Sequence, residues 1–585
     1  MNRPQLTINN LQLTIYKGFM EFGTMFKDLY GPRSLYITLR TLCTLFIINY
    51  SLSVSAQTMV YLEQADNLNF DQDRIANAQI LNGNVIFRHE EALMYCDSAY
   101  FYEGTNSLDA FGHIRFVQGD TLHGFCNKLF YDGNTKLARM RENVKLIHGP
   151  QDGNPTILTT DTLNYDRRAN VAYYYAGGEV KDSLNTLTSL RGNYHPQTNQ
   201  AVFSQEVLLV NPKFTLSSDT LLYNTETKVA DIISPTTIVY EEETDILTSR
   251  GWYNTQTERS MLLDRSIVDH SDGKMMTGDT IFYDKAIGFG QVVGNMEMRD
   301  SAQHATLYGQ YGEMWEEGSR GFATDSALMV DWSDSLHYAY IHADTLFTEE
   351  IRYPDSLLQA DSTITDSTYR RVRAYYGVRV YRDDMQMVCD SMVYLGSDST
   401  IYLYTDPVCW SDNQQISADT MRVYIINAAV DHAVGIKNAL CVMHDTLDIY
   451  NQMSGKELIA TLIDGEVKIV DMSGNALTIY YPKEENKDGY IGMNTTESSY
   501  IRVYVENREI QRIRFTQATT GVLYPIDQIP KDGERLALFF WEEESRPVNK
   551  DDVFRKVKVE KRTQADIRSM EEQVKSGQKK KDNRQ

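Results

Sequence analysis

Cysteine and proline are scarce in this chain: six and thirteen among 585 residues. Cysteines so few and so widely spaced cannot build a dense disulfide framework, and none pair at zinc-site spacing. Low proline, with only 35 glycines, excludes a collagen-like or proline-rich chain. Positive charge is in deficit as well, with 57 Lys and Arg against 80 Asp and Glu, a formal charge of −23. A chain that acidic repels phosphates, so nucleic acid is not an expected partner. Catalytic signatures are missing: there is no Walker motif, no GxSxG and no HExxH. The histidines lack ligand spacing; His337 and His342, five apart, would face opposite sides of a strand. The expectation is a protein that is not an enzyme and carries no cofactor and no metal. A hydrophobic share of 42% nonetheless excludes global disorder, and the length calls for several domains or a repeat array.

What is present begins with an apolar run, Leu42 to Tyr50, preceded by Arg33 and Arg40 and followed by Val54 and Ala56. That order matches a secretory signal cut after Ala56, giving a leader over 1–56 and an exported protein. The competing reading is an uncleaved anchor, although the run is short for a bilayer span. Met25 would make a better start than Met1. Leu42 precedes Cys43 where a lipid-anchor site needs a small residue, so no lipid anchor is expected. Of the five cysteines left, Cys389 and Cys409 could pair, but isolated core cysteines are preferred.

Tyrosine is abundant, 38 residues, and it falls in a repeating phrase: Asp, Thr or Ser, an apolar residue, any residue, then usually Tyr. Clear copies start at Asp161, Asp219 and Asp279, 58 and 60 residues apart; related ones start at Asp97, Asp390, Asp419 and Asp445. Degenerate copies ending in Tyr194, Tyr253 and Tyr311 stand halfway between, so the underlying period is near 29. A second phrase, Gly then an alternating apolar run, interleaves at Gly83, Gly178, Gly294, Gly377 and Gly465. The reading is two strands per unit, with each Gly in the turn before its strand, where a positive φ is needed. The repeated Asp is read as capping a turn, in preference to a calcium site, which needs several converging oxygens. Alternation puts Leu163, Tyr165, Leu221, Tyr223, Ile281 and Tyr283 on one face, in a stack along successive rungs. Helical periodicity is absent from Val60 to about Trp541, so the fold class is all-β with stacked antiparallel strands.

Together the two phrases resemble the OstA-like (organic solvent tolerance) family, whose members include the periplasmic bridge protein of lipopolysaccharide transport. The resemblance rests on Gly83-Asn84-Val85 with Cys96-Asp97-Ser98, Ser218-Asp219-Thr220-Leu221 and Gly278-Asp279-Thr280-Ile281. It implies an elongated twisted β-jellyroll with an apolar groove, located in the periplasm in association with the outer membrane. It also implies lipopolysaccharide or a related glycolipid as ligand, docking to other transport proteins through end strands, and possible head-to-tail self-association. The length suggests two or three fused modules: 57–215, 216–353 and 370–547. A polar linker or loop at 354–369 separates the last two, and a charged tail at 548–585 reads as a weak amphipathic helix or a solvated end. The six stacked residues are the candidate groove lining, and Glu at Leu221 and Ile281 is expected to abolish lipid crosslinking without lowering protein level. The competing reading is a secreted structural or adhesive β-solenoid with a filled core.

Overall fold

The structure, a computed structural model, describes residues 58–557 apart from 74, 150–152, 361–363, 365, 428, 447, 485–488 and 531–532. The leader at 1–56 and the tail beyond 557 lie outside these residues. Among the described residues there are 38 strands, one short α-helix (Asp355–Ala360) and a few 3-10 turns. No described helix is long and apolar enough to cross a membrane. The described residues fall into two compact units: one from 58–119 with Leu129–Leu137, the other from Asp120–Lys128 with 138–557.

Both units are made of antiparallel rungs, and each rung is bent once near its middle. In the first unit, Gln79–His89 pairs with Ala92–Tyr102, and the register slips between Asn82 and Val85. In the second, Phe289–Asp300 pairs with Ala305–Trp315 with a slip between Val293 and Met296. At these two slips, and at the one between Ile436 and Ala439, two successive residues are left-handed: Gly83 and Asn84 (φ 79° and 44°), Gly294 and Asn295 (80° and 46°), Lys437 and Asn438 (61° and 46°). Such a pair is a β-bulge that turns the strand through a corner.

The neighbouring rung meets this corner with a single Asp. Asn295 Nδ2 donates to Asp279 Oδ2 at 2.7 Å, Asn84 Nδ2 to Asp66 Oδ2 at 2.8 Å, and Asn438 Nδ2 to Asp419 Oδ1 at 2.9 Å. The Gly and Asp phrases of the sequence are therefore two sides of one corner. The left-handed pair at 205–206 faces Asp219 on the next rung, and the pairs at 264–265 and 294–295 flank Asp279 on the rung between them; the rung over 229–240 turns at Ile233–Pro235 without a left-handed pair. Two rungs make one repeat, which accounts for the period near 29.

The corner also shifts the phase of burial. In Phe214–Asn224 the buried positions are Phe214, Leu216 and Ser218 before Asp219, then Leu221 and Tyr223 after it. Residues on both arms of a rung thus point inward, as Met276 and Ile281 do within one continuous core cluster. Four of the five described cysteines, Cys96, Cys126, Cys409 and Cys441, are buried, and all five are free thiols. Burial pushes those four thiols up to about 12, so they are not reactive groups.

Several expectations are revised. Gly83, Gly294 and Gly377 sit inside strands Gln79–His89, Phe289–Asp300 and Thr368–Tyr381, not ahead of them. Gly178 opens strand Gly178–Lys181 without a positive φ, so only Gly465, left-handed in the turn before Glu466–Tyr480, matches the reading made from the sequence. Asp97, Asp161, Asp219, Asp279 and Asp390 likewise sit inside strands and not in turns ahead of them, whereas Asp445 lies in the turn after Ala429–His444. The boundary at 215/216 falls within Phe214–Asn224. The polar stretch at 354–369 holds the short helix Asp355–Ala360 and ends within strand Thr368–Tyr381, which pairs with Thr345–Arg352 from Thr345↔Tyr375 to Arg352↔Thr368.

The last described stretch, 533–557, has almost no regular structure, yet it is held down as a strap. Gln415 Nε2 donates to Phe540 O at 3.0 Å while Gln415 Oε1 accepts from Glu542 N at 2.8 Å. Gln452 repeats the arrangement with Glu534 O and Leu536 N, both at 2.9 Å. Trp410, fully buried, packs with Phe540, and Arg379 Nη1 donates to Ser545 O at 2.9 Å. Strands Val408–Ser411 and Gln414–Ser417 are consequently buried on both faces. The part of the supposed charged tail from 548 to 557 belongs to this strap; Val553 within it is fully buried.

Corner geometry gives a first test. A Cβ on Gly294 would lie 2.6 Å from Asp279 Oδ2 on a backbone with φ +80°. Gly294→Ala is expected to cost about 1–3 kcal/mol in urea unfolding. Gly104→Ala, where no atom lies within 4 Å, should change stability by less than about 0.5 kcal/mol. Equal midpoints for the two variants would reject the strained corner.

Candidate functional site: a cleft along an opened seam

Because every rung bends the same way, the turn ends of its two arms face one another across a seam opposite the corners. Over the earlier rungs of the second unit that seam is closed. His148 Nδ1 and the Tyr194 hydroxyl meet across it at 2.6 Å. Next, the Tyr223 hydroxyl donates to Asp182 Oδ2 at 2.9 Å, and Lys228 Nζ donates to the same oxygen at 2.8 Å. Asn185 Nδ2 reaches the Tyr223 hydroxyl at 2.7 Å and Thr255 Oγ1 at 3.0 Å. Lys213 then pairs with Glu258, which also accepts from the Tyr240 hydroxyl at 3.2 Å.

The Asp182 bolt is buried, with 2% of its side chain exposed. Burial alone would push its pKa up, but the Lys228 hydrogen bond and the amides of Leu184 and Asn185 outweigh that and hold it below the ordinary value. A folded-state pKa below the unfolded value of about 3.9 contributes stability that is complete above that pH. It is lost as pH falls through the folded value. Asp182→Asn should therefore flatten the fall in stability between neutral pH and about pH 3, read by urea unfolding at both. An unchanged pH dependence would show that the bolt carries no such linkage.

Past Glu258 the seam opens. Tyr283 holds the position in its strand that Tyr223 holds in an earlier rung, but its hydroxyl donates to Glu316 on its own arm, where Lys285 Nζ also reaches Glu316 at 3.1 Å. With Tyr283 not crossing, a cleft of about 460 Å³ lies between the arms, bordered at one end by the Tyr240–Glu258 crossing. Its floor is core: Leu262, Met276, Ile281 and Leu307. Its walls are the half-buried Ile246, Val268, Met298 and Met314. Exposed charged residues ring the mouth, among them Glu243, Asp272, Lys274, Glu316 and Arg320. At one end Arg370 is half-buried and donates through Nε to Thr348 Oγ1 at 3.0 Å. Burial pulls its pKa down, while Asp300, Asp331 and Glu350 nearby support its charge. Among the described residues no group of three His, Cys, Asp or Glu is placed to hold a metal ion. The arrangement suits an apolar chain with a charged end: methionine walls adapt to irregular occupants, and the volume falls within the range of about 300–1,000 Å³ usual for ligand pockets.

Of the six residues singled out from sequence, the structure brings two, Ile281 and Tyr283, to this cleft. Leu163, Tyr165 and Leu221 are fully buried and Tyr223 nearly so, packed under the closed seam; the Tyr165 hydroxyl is spent on Asn170 Oδ1 at 2.6 Å. Sequence reasoning missed the methionines. Their signal was present, since Met275, Met276, Met296, Met298 and Met314 fall within one short stretch.

Residues 57–219 match the family model described as OstA-like protein. No curated protein matches the chain. The match covers the rungs that carry the first Asp phrases and ends before the cleft begins. The bent-rung repeat runs on without a change of type from those residues into the later ones. Residues 57–219, then, are similar to the OstA-like family.

Proposed function

We propose that this protein is a periplasmic carrier that shields the acyl chains of lipopolysaccharide or a related glycolipid on the way to the outer membrane. The observation that carries the reading is the change at Tyr283: where its hydroxyl stays on its own arm, a methionine-walled cleft replaces the bolted seam. Each CH₂ taken from water is worth about 0.8 kcal/mol, so an acyl chain of about a dozen methylenes resists water by roughly 10 kcal/mol. A side-opening apolar slot removes much of that barrier while the head group stays in water. Arg320 and Arg370 supply positive charge near the mouth for an anionic head group. The role requires no bond making, so no catalytic group is invoked.

Docking to other transport proteins would use the edge strands. Tyr61–Gln64 and Asn67–Phe70 in the first unit pair on one side only among the described residues, and Leu68 and Phe70 are exposed. In the second unit Thr520–Pro525 does the same, with Val522 and Leu523 exposed. Open edges are a template for strand addition. A charge at such an edge blocks it, so Leu523→Lys should abolish crosslinking of this edge to its neighbour in the cell; unaltered crosslinking would remove the edge from the assignment.

The direct test of the carrier reading is mass spectrometry of lipid retained by protein purified from the periplasm, with a photo-crosslinker at Val268. The expected result is a glycolipid adduct at Val268 and none at the closed-seam position Tyr194. Absence of any lipid adduct at Val268 would favour the scaffold reading, which the filled rungs around Leu163, Tyr165 and Leu221 support on their own.

A further inference from the structure

A second concavity, about 560 Å³, lies on the outer face of the same rungs, and its lining is of a different kind. Tyr308, Trp332, Tyr338 and Tyr340 contribute four aromatic rings, with Lys550 and Asp551 of the strap at its border. Strand alternation explains the position. Ala305 and Leu307 face the core, so Thr306 and Tyr308 face outward. The register then aligns Arg299, Thr306, Val330 and Tyr340 in one row across four rungs. His304 meets Trp332 edge-on, with ring centroids 4.8 Å apart, and steadies the indole. Tyr338 is 44% exposed.

Rings set beside cations and a carboxylate suit a particular kind of ligand. The C–H faces of a pyranose carry partial positive charge and pack on the electron-rich faces of aromatic rings. Its hydroxyls and phosphates accept hydrogen bonds from Lys and Arg, and its hydroxyls donate to Asp. A greasy peptide would call for an apolar floor without charges, and a membrane surface for cations without Asp551. Position adds a second argument: Arg299 and Thr306 line both this groove and the acyl cleft. The two sites therefore adjoin at the edge of one arm.

We infer that the outer groove binds the glycan of the same glycolipid whose acyl chains occupy the cleft, with Arg299 standing at the junction of sugar and lipid. The identity of the occupant rests on the carrier reading; the saccharide chemistry of the groove does not.

The test uses the full exported chain and three probes: core oligosaccharide stripped of its acyl chains, a fluorescent long-chain fatty acid without sugar, and intact lipopolysaccharide. Wild-type protein should bind the oligosaccharide with a change in tryptophan fluorescence. Trp332→Ala and Tyr338→Ala should each weaken that binding about tenfold and leave fatty-acid affinity within about twofold. Intact lipopolysaccharide should bind tighter than either fragment, because joined sites act at high effective concentration. Should Trp332→Ala disturb folding, the exposed Tyr338 decides. No oligosaccharide binding by wild type, or equal binding by wild type and Tyr338→Ala, overturns the groove; intact ligand no tighter than its fragments overturns the shared occupant. Fatty acid that fails to bind while oligosaccharide binds would refute the carrier reading and leave the saccharide groove standing.

Discussion

Leu221→Glu is expected to leave little folded protein, and not to act as a selective lipid-binding defect. Leu221 is fully buried beneath the closed seam, opposite Phe203 on one side and Ile232 on the other. A carboxylate there would lose the leucine's burial, about 1.5–3 kcal/mol, and would add an unpaired buried charge. Together these place the change among the rare substitutions costing more than about 4 kcal/mol. The measurement is the urea midpoint of purified protein, or its periplasmic level where purification fails. A midpoint near that of wild type would mean that the earlier rungs hold an internal space after all, and that the groove imagined from the sequence runs their full length.

The converse pair is Met298→Glu with Met314→Glu. Both side chains are half-buried on the cleft walls, so each new carboxylate can turn toward the mouth and remain hydrated. The double variant should keep most of its stability. It should also lose at least about tenfold in fatty-acid affinity, since two charges would line the slot that an acyl chain must enter. The discriminating readout is the ratio of ligand loss to stability loss. Loss of lipid at an unchanged urea midpoint supports the cleft, whereas intact binding by a folded double variant places the lipid elsewhere.

Much of the architecture was legible because it repeats. The Asp phrase recurs in fixed register with Leu163, Leu221 and Ile281, so strand class, inward face and period all followed from simple alternation. The corner was harder to see. Its two halves lie on different rungs, Gly294-Asn295 on one and Asp279 on the other, and a linear reading takes them for two unrelated turn signals. The cleft was harder still. Leu163, Leu221 and Ile281 have the same local sequence and the same burial, yet only Ile281 underlies an opening. Between Leu221 and Ile281 the difference is the partner of the tyrosine hydroxyl two residues on: Asp182 across the seam for Tyr223, Glu316 on the same arm for Tyr283. Those partners are 41 and 33 residues distant, and spacing alone gives no sign of which arm they occupy. The strap was invisible for a similar reason. Gln386, Gln415 and Gln452 take hydrogen bonds from or give them to a segment more than eighty residues later, and nothing in their spacing signals it.

The alternation of corner types also limits how such a molecule can change its length. Inserting a lone crossing would reverse the direction of everything downstream and set two corners of like kind against each other, with no carboxylate between them to accept. Only additions or losses in pairs leave the column of corners matched. The gene is thus held to even steps, and any variant found to carry an odd number should reveal, near the join, the patch that repairs the mismatch.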